Sequence, residues 1–90
     1  MEPITVIKAE YRQDYKIFLL FNDGLTGIVD LTHYLDGEIF EPLKDPIYFK
    51  KFFVDTWTIG WDNGADFAPE FLYELAKKGN TRTIKTGLVA

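Results

Sequence analysis

The segment YKIFLLFN, residues 15–22, is apolar on both of its faces, and this constrains the fold more than any other stretch of the chain. In an extended strand, successive side chains point to opposite sides. Tyr15, Ile17, Leu19 and Phe21 therefore share one face, while Phe18 and Leu20 lie on the other. Such a strand needs shelter on both sides, which predicts a central position in a sheet. Asp23-Gly24 follows at once, a dipeptide suited to the positive-φ turn of a tight hairpin. LTGIVD (Leu25–Asp30) then reads as the returning strand, and ITVIKAEY (Ile4–Tyr11), joined through the turn Arg12–Asp14, as the preceding one. The result is a three-stranded antiparallel meander.

The rest of the chain supplies cover. Asp30 can accept from the free amides of a short helical turn that Gly37 ends, and EIFEPLKDP is a connector. Asp45-Pro46 places an N-cap acceptor before a proline at the first helical position, starting a short helix, IYFKKF. FFVD and TWTIGW are two further strands about a turn at Asp55-Thr56, the second with Trp57, Ile59 and Trp61 on one face. A last helix is expected from Ala68 or Pro69 to Lys78, with the apolar stripe Phe71, Leu72, Leu75 and Ala76. Glu74–Lys78 is a favourable pair on it, and Gly79-Asn80 is the expected stop. The predicted class is α+β in the order β-β-β-α-β-β-α. Residues 1–78 form one domain, and residues 79–90 are a basic tail, flexible or ordered on a partner, with Arg82 and Lys85 as its candidate contacts.

Ninety residues lie near the lower end of what a single hydrophobic core sustains, so dimerisation is a natural source of further stability. Charge is unevenly spread. Residues 1–76 hold fourteen acids and six bases, a net of −8, whereas residues 77–90 hold four bases and no acidic side chain. An acidic body repels a phosphate backbone, which disfavours direct nucleic-acid binding. The Met-Glu-Pro start lacks the layout of a secretory signal, and no apolar run approaches membrane-spanning length, so the expected location is the cytoplasm.

Catalytic material is scarce. With no Cys and no Ser, the usual nucleophile-and-base arrangements and sulfur-ligated metals have no residues to use. The one histidine, His33, falls in the Asp30–Leu35 turn and cannot by itself supply the paired histidines of a zinc hydrolase. The glycines are scattered, with no phosphate-cradling motif. Asp62, Asn63, Gly64 and Asp66 are the candidate ligand loop, although DNGAD lacks the spacing of a calcium loop. Each of its residues also has a structural role: Asn63-Gly64 reverses the chain, Asp66 can meet free amides at the start of the helix, and Pro69 fixes the first helical φ. No cofactor and no metal is expected.

The order YKIFLLFNDGLTGIVDLTHYL, then IFEPLKDPIYFKKFFVD, then IGWDNGADFAPEFLYE resembles the bacterial domain of unknown function 2442, over roughly residues 4–76. The resemblance implies a small α+β domain and an antitoxin-like or regulatory role beside another small protein encoded nearby. It supplies no catalytic residue. Relatives often carry Pro after the Trp, where this chain has Asp62, and Ala68 is a poor side-chain cap before Pro69. The leading expectation is a non-catalytic protein-interaction module, homodimeric or paired with a protein partner, with Phe18, Leu20, Trp57 and Trp61 as candidate interface residues. The alternative is a polar-ligand or metal-binding domain, or an uncharacterised enzyme, using the Asp62–Asp66 loop.

Overall fold

Strands β1 (Val6–Gln13), β2 (Lys16–Phe21) and β3 (Thr26–Asp30) form an antiparallel sheet in the order β1-β2-β3, with the doubly apolar strand in the centre as expected. The computed structural model describes residues 2–89, and side chains through residue 79. The β2–β3 hairpin aligns Lys16 with Asp30, Phe18 with Ile28, and Leu20 with Thr26. Gly24 takes a φ of 94°, which closes the turn after Asp23. Between β1 and β2 the chain turns through Asp14, at φ 50°, a conformation that Asp adopts more easily than most residues. The pairing slips by one residue at Ile7 and again at Arg12, so each is an extra residue on β1. Such bulges re-aim side chains.

Beyond the sheet, Thr32–Tyr34 and Glu38–Lys44 form 3-10 turns. Asp30 anchors the first, its Oδ1 accepting from the Thr32 amide at 3.0 Å and the Thr32 hydroxyl at 2.6 Å. The short helix α1 (Pro46–Phe49) starts as predicted, with Asp45 Oδ1 accepting from the Ile47 amide at 3.0 Å and Pro46 at the first position. Strands β4 (Phe53–Val54) and β5 (Ile59–Gly60) form a two-stranded hairpin of their own. Helix α2 (Pro69–Val89) follows. The observed class is α+β, in the expected order.

The core lies between the Ile17–Leu19–Phe21 face of the sheet, helix α2 and the 3-10 segments. Leu72 and Ala76 are buried members of the predicted stripe, and Phe71 and Leu75 pack half-buried beside them. Around Phe49 the packing is aromatic: Tyr15 and Trp61 have ring centres 5.1 and 5.6 Å away. Phe40, Phe67, Phe71 and Tyr34 continue as a chain of ring contacts towards α2. Such pairs add about 0.5–1.5 kcal/mol each beyond area burial, a useful supplement in so small a domain.

Three expectations are corrected. Helix α2 does not stop at Gly79-Asn80 but runs on through Val89. Gly79 is not in the left-handed conformation that ends a helix. A Cβ there would stand 3.5 Å from the Ile28 carbonyl oxygen, so the glycine marks where the helix passes close to β3. Glu74 pairs with Lys77, at 3.8 Å, where Lys78 was expected. Trp57 and Trp61 both lie outside β5, which holds only Ile59 and Gly60 of the expected strand. Trp57 sits in the β4–β5 loop, which the Asp55 amide closes on the Thr58 carbonyl at 2.7 Å, so the alternation breaks before Ile59.

Candidate functional site

The two faces of the sheet have different fates. Ile17, Leu19 and Phe21 are wholly buried, whereas Phe18 and Leu20 are only half-buried. Ile28, opposite Phe18 on β3, stays 50% exposed. None of these three joins the core cluster. Among the described residues, side chains of the sheet's own strands surround Phe18 and Leu20, while Ile28 also borders the cavity that Leu75 and Lys78 of α2 line. The bulge at Arg12 carries its guanidinium over the Phe18 ring, 4.8 Å from the centre. Glu10 joins Lys8 at 2.9 Å and Arg12 at 3.1 Å, and these cations hold its carboxyl below the ordinary range, Lys8 more strongly. The outer face is thus an apolar centre of three side chains rimmed by Lys8, Glu10, Arg12, Lys16 and Asp30.

The Asp62–Asp66 loop is committed to structure. The Gly64 amide donates to the Trp61 carbonyl at 3.0 Å, with Gly64 at φ 93°, and the Trp61 amide donates to the Ala65 carbonyl at 2.9 Å. The Asn63 side-chain amide is used twice: Nδ2 donates to the Ile39 carbonyl at 2.9 Å, and Oδ1 accepts from the Ala65 amide at 3.0 Å. Asp62 accepts the Tyr48 hydroxyl, a bond that raises the phenol above its ordinary pKa. The Asp66 backbone bridges to Gly60, and its exposed side chain does not cap α2 as expected. The start of α2 relies on Ala68, whose carbonyl accepts from the Leu72 amide at 3.2 Å. Among the described residues no group of three or more acidic or histidine side chains is placed to hold a metal ion. Nor is any helix there long and apolar enough to cross a membrane.

The two tryptophans separate. Trp61 is 2% exposed, and its Nε1 donates to the Phe49 carbonyl at 2.9 Å, so this candidate interface residue is a core residue with its polar atom satisfied. Trp57 is 58% exposed on a pinned loop, with its carbonyl accepting the Val6 amide at 2.8 Å. The side chains of Arg82 and Lys85 lie outside the described residues. His33 is exposed and lines a cavity of about 400 Å³ with Asp30, Tyr34 and Lys78, between β3 and α2.

Sequence reasoning did not single out Ile28 as part of the outer face. Its parity with Phe18 follows from the Asp23-Gly24 turn, because that turn fixes the register. It also missed the pairing of Tyr73 with Asp23, fifty residues apart, which raises the phenol and lowers the carboxyl.

No curated protein and no solved structure matches the chain. One family model does, described as "Protein of unknown function (DUF2442)", over residues 6–78. That span takes in all five strands, α1 and the first part of α2. The chain belongs to the DUF2442 family.

Proposed function

We propose that this chain is a non-catalytic, cytoplasmic protein-interaction module, the antitoxin-like or regulatory partner of a small protein encoded beside it. The outer face of the sheet is its contact surface. The observation that carries this reading is the contrast across β2, where Leu19 is wholly buried and Leu20, one residue on, is only half-buried beside Phe18 and the exposed Ile28. Burying an aliphatic or aromatic side chain is worth about 1.5–3 kcal/mol, so finishing the burial of three half-covered ones yields roughly 2–4 kcal/mol. A micromolar complex needs about −8 kcal/mol net. The charged rim therefore has to contribute, and a rim of mixed sign favours a particular partner and register over a generic apolar one.

The test is sedimentation of the chain at micromolar concentration, alone and with the product of its neighbouring gene. A complex, or a dimer of the chain itself, supports the proposal. A strict monomer in both samples defeats it. A ligand, metal or catalytic role for the Asp62–Asp66 loop has no comparable observation behind it, because Asp62 and Asn63 already serve as staples to Tyr48 and Ile39.

A further inference from the structure

A second surface lies where three distant segments meet. Pro3, Ile4 and Thr5 from the N-terminal arm, Trp57 from the β4–β5 loop, and Pro69 and Glu70 from the start of α2 enclose a cleft of about 300 Å³. Its walls are fixed. The Asn22 side chain clamps the arm from both sides, Oδ1 accepting from the Thr5 amide at 3.0 Å and Nδ2 donating to the Pro3 carbonyl at 2.8 Å. The Trp57 loop is held by the Val6 amide and by the Thr58 hydroxyl, which donates to the Phe67 carbonyl at 2.6 Å. Pro69 is the first residue of α2, with its ring fixing the backbone.

The lining is apolar apart from Thr5 and one charge, Glu70. Glu10, Glu41 and Glu74 each hold a lysine or arginine, but among the described residues no base pairs with Glu70. The residue four places on is Glu74, a like charge. The cleft therefore combines an exposed indole, a carboxylate that no base among the described residues pairs with, and rigid apolar sides.

We infer that this cleft takes the side chain of an arginine from a partner protein, the guanidinium stacked on Trp57 and paired with Glu70. Arginine suits the site better than lysine because its flat group can lie on an indole face while its edge N–H groups reach a carboxylate. A lysine ammonium offers a point charge and no such plane. The absence of any base in the lining and the net −8 of residues 1–76 favour a cationic occupant over an anionic one. The inference rests on the interaction-module reading for the source of the arginine, but the cleft can be tested without that source.

The full chain is titrated with N-acetyl-Ala-Arg-Ala-amide, with the citrulline peptide of the same shape but no charge, and with the lysine peptide, following ¹H–¹⁵N shifts. The arginine peptide is expected to move the Trp57 indole N–H and the amides of Thr5, Glu70 and Phe71 saturably, leaving the buried Trp61 indole unmoved. Citrulline and lysine peptides should bind roughly three- to tenfold more weakly, and Glu70→Gln should abolish the preference over citrulline. Equal binding of arginine and citrulline, an unchanged preference in Glu70→Gln, or shifts confined to other surfaces would overturn the inference. Both positions are exposed, so Trp57→Ala and Glu70→Gln should fold normally. Saturable arginine binding that is weakened in both variants supports the cleft even if no protein partner exists. A partner that binds Glu70→Gln and Trp57→Ala as tightly as the unaltered chain overturns the cleft's role while the module reading stands.

Discussion

Gly27 lies in the middle of β3, paired with Leu19, where α2 crosses the sheet. A methyl group added there would stand 3.0 Å from the Ala76 Cβ, 3.2 Å from its carbonyl oxygen and 3.3 Å from its Cα. Carbon atoms pack best at about 3.5–4.0 Å, so Gly27→Ala requires α2 to retreat by roughly half an ångström or more. Two of the three obstructing atoms are helix backbone, which no rotamer change can move. Overpacking of this kind costs about 1–3 kcal/mol, and the loss of glycine freedom in the unfolded chain returns about 0.4–1 kcal/mol. The net expectation is roughly 1–2 kcal/mol of destabilisation. In a domain of this size each kcal/mol moves Tm by about 4–8 °C, so thermal unfolding followed by circular dichroism should show a fall of roughly 5–15 °C. Adding Ala76→Gly should restore only part of the loss, because it removes one of the three contacts and a helix-interior glycine costs about 1 kcal/mol. An unchanged or higher Tm for Gly27→Ala would refute the close seat of α2 on β3, and with it the closure of the inner face.

Leu19→Ala should destabilise the fold by about 2–5 kcal/mol in urea unfolding, because Leu19 is wholly buried. Leu20→Ser, one residue along, should cost under about 1 kcal/mol yet abolish partner binding, and similar stability losses for the two would contradict the assignment of faces. Thr58→Val should lower the urea midpoint with the slope unchanged, by about 1–3 kcal/mol, since it leaves the Phe67 carbonyl without its buried donor. The Tyr73–Asp23 bond should appear in both limbs of the pH–stability curve. The Tyr73 hydroxyl and then the Leu25 amide depress the folded pKa of Asp23, so its contribution is full above the unfolded value and is lost as pH falls through the folded one. Tyr73 is raised, so its contribution is full below the ordinary phenol value and is lost as pH rises through the folded one. Asp23→Asn should flatten the acid limb and move the Tyr73 titration down towards the ordinary phenol value, with burial and Glu74 still holding it up; an unchanged acid limb would refute the linkage.

Local rules sufficed for the meander. Alternation along residues 15–22 separates Leu19 from Leu20, Asp23-Gly24 sets the hairpin, and Asp45-Pro46 starts α1, because each signal acts within a few residues. Trp61 escaped such reasoning because its burial depends on the Phe49 carbonyl reaching its indole N–H, a contact across twelve residues. Alternation also misplaced Trp57, since β5 is only two residues long and the loop before it has no strand parity. Gly79 resembles a helix stop in sequence, yet it lies within α2 where the helix passes the Ile28 carbonyl. The outer face was half legible: Phe18 and Leu20 follow from parity, whereas Ile28 needs the register as well. The Trp57–Glu70 cleft was not legible at all, because Pro3, Trp57 and Pro69 come together only in the folded chain.

The exposed half of the sheet can be interrogated atom by atom. Methyl resonances of Leu19, Leu20 and Ile28 should be recorded with a soluble nitroxide, first for the chain at high dilution and then with its partner or at dimer-forming concentration. Leu20 and Ile28 are expected to broaden when the chain is alone and to be protected in the complex, while Leu19 stays sharp throughout. Leu20 and Ile28 methyls that broaden equally in the free and the bound chain would contradict the proposal that this face is where the protein makes its contact.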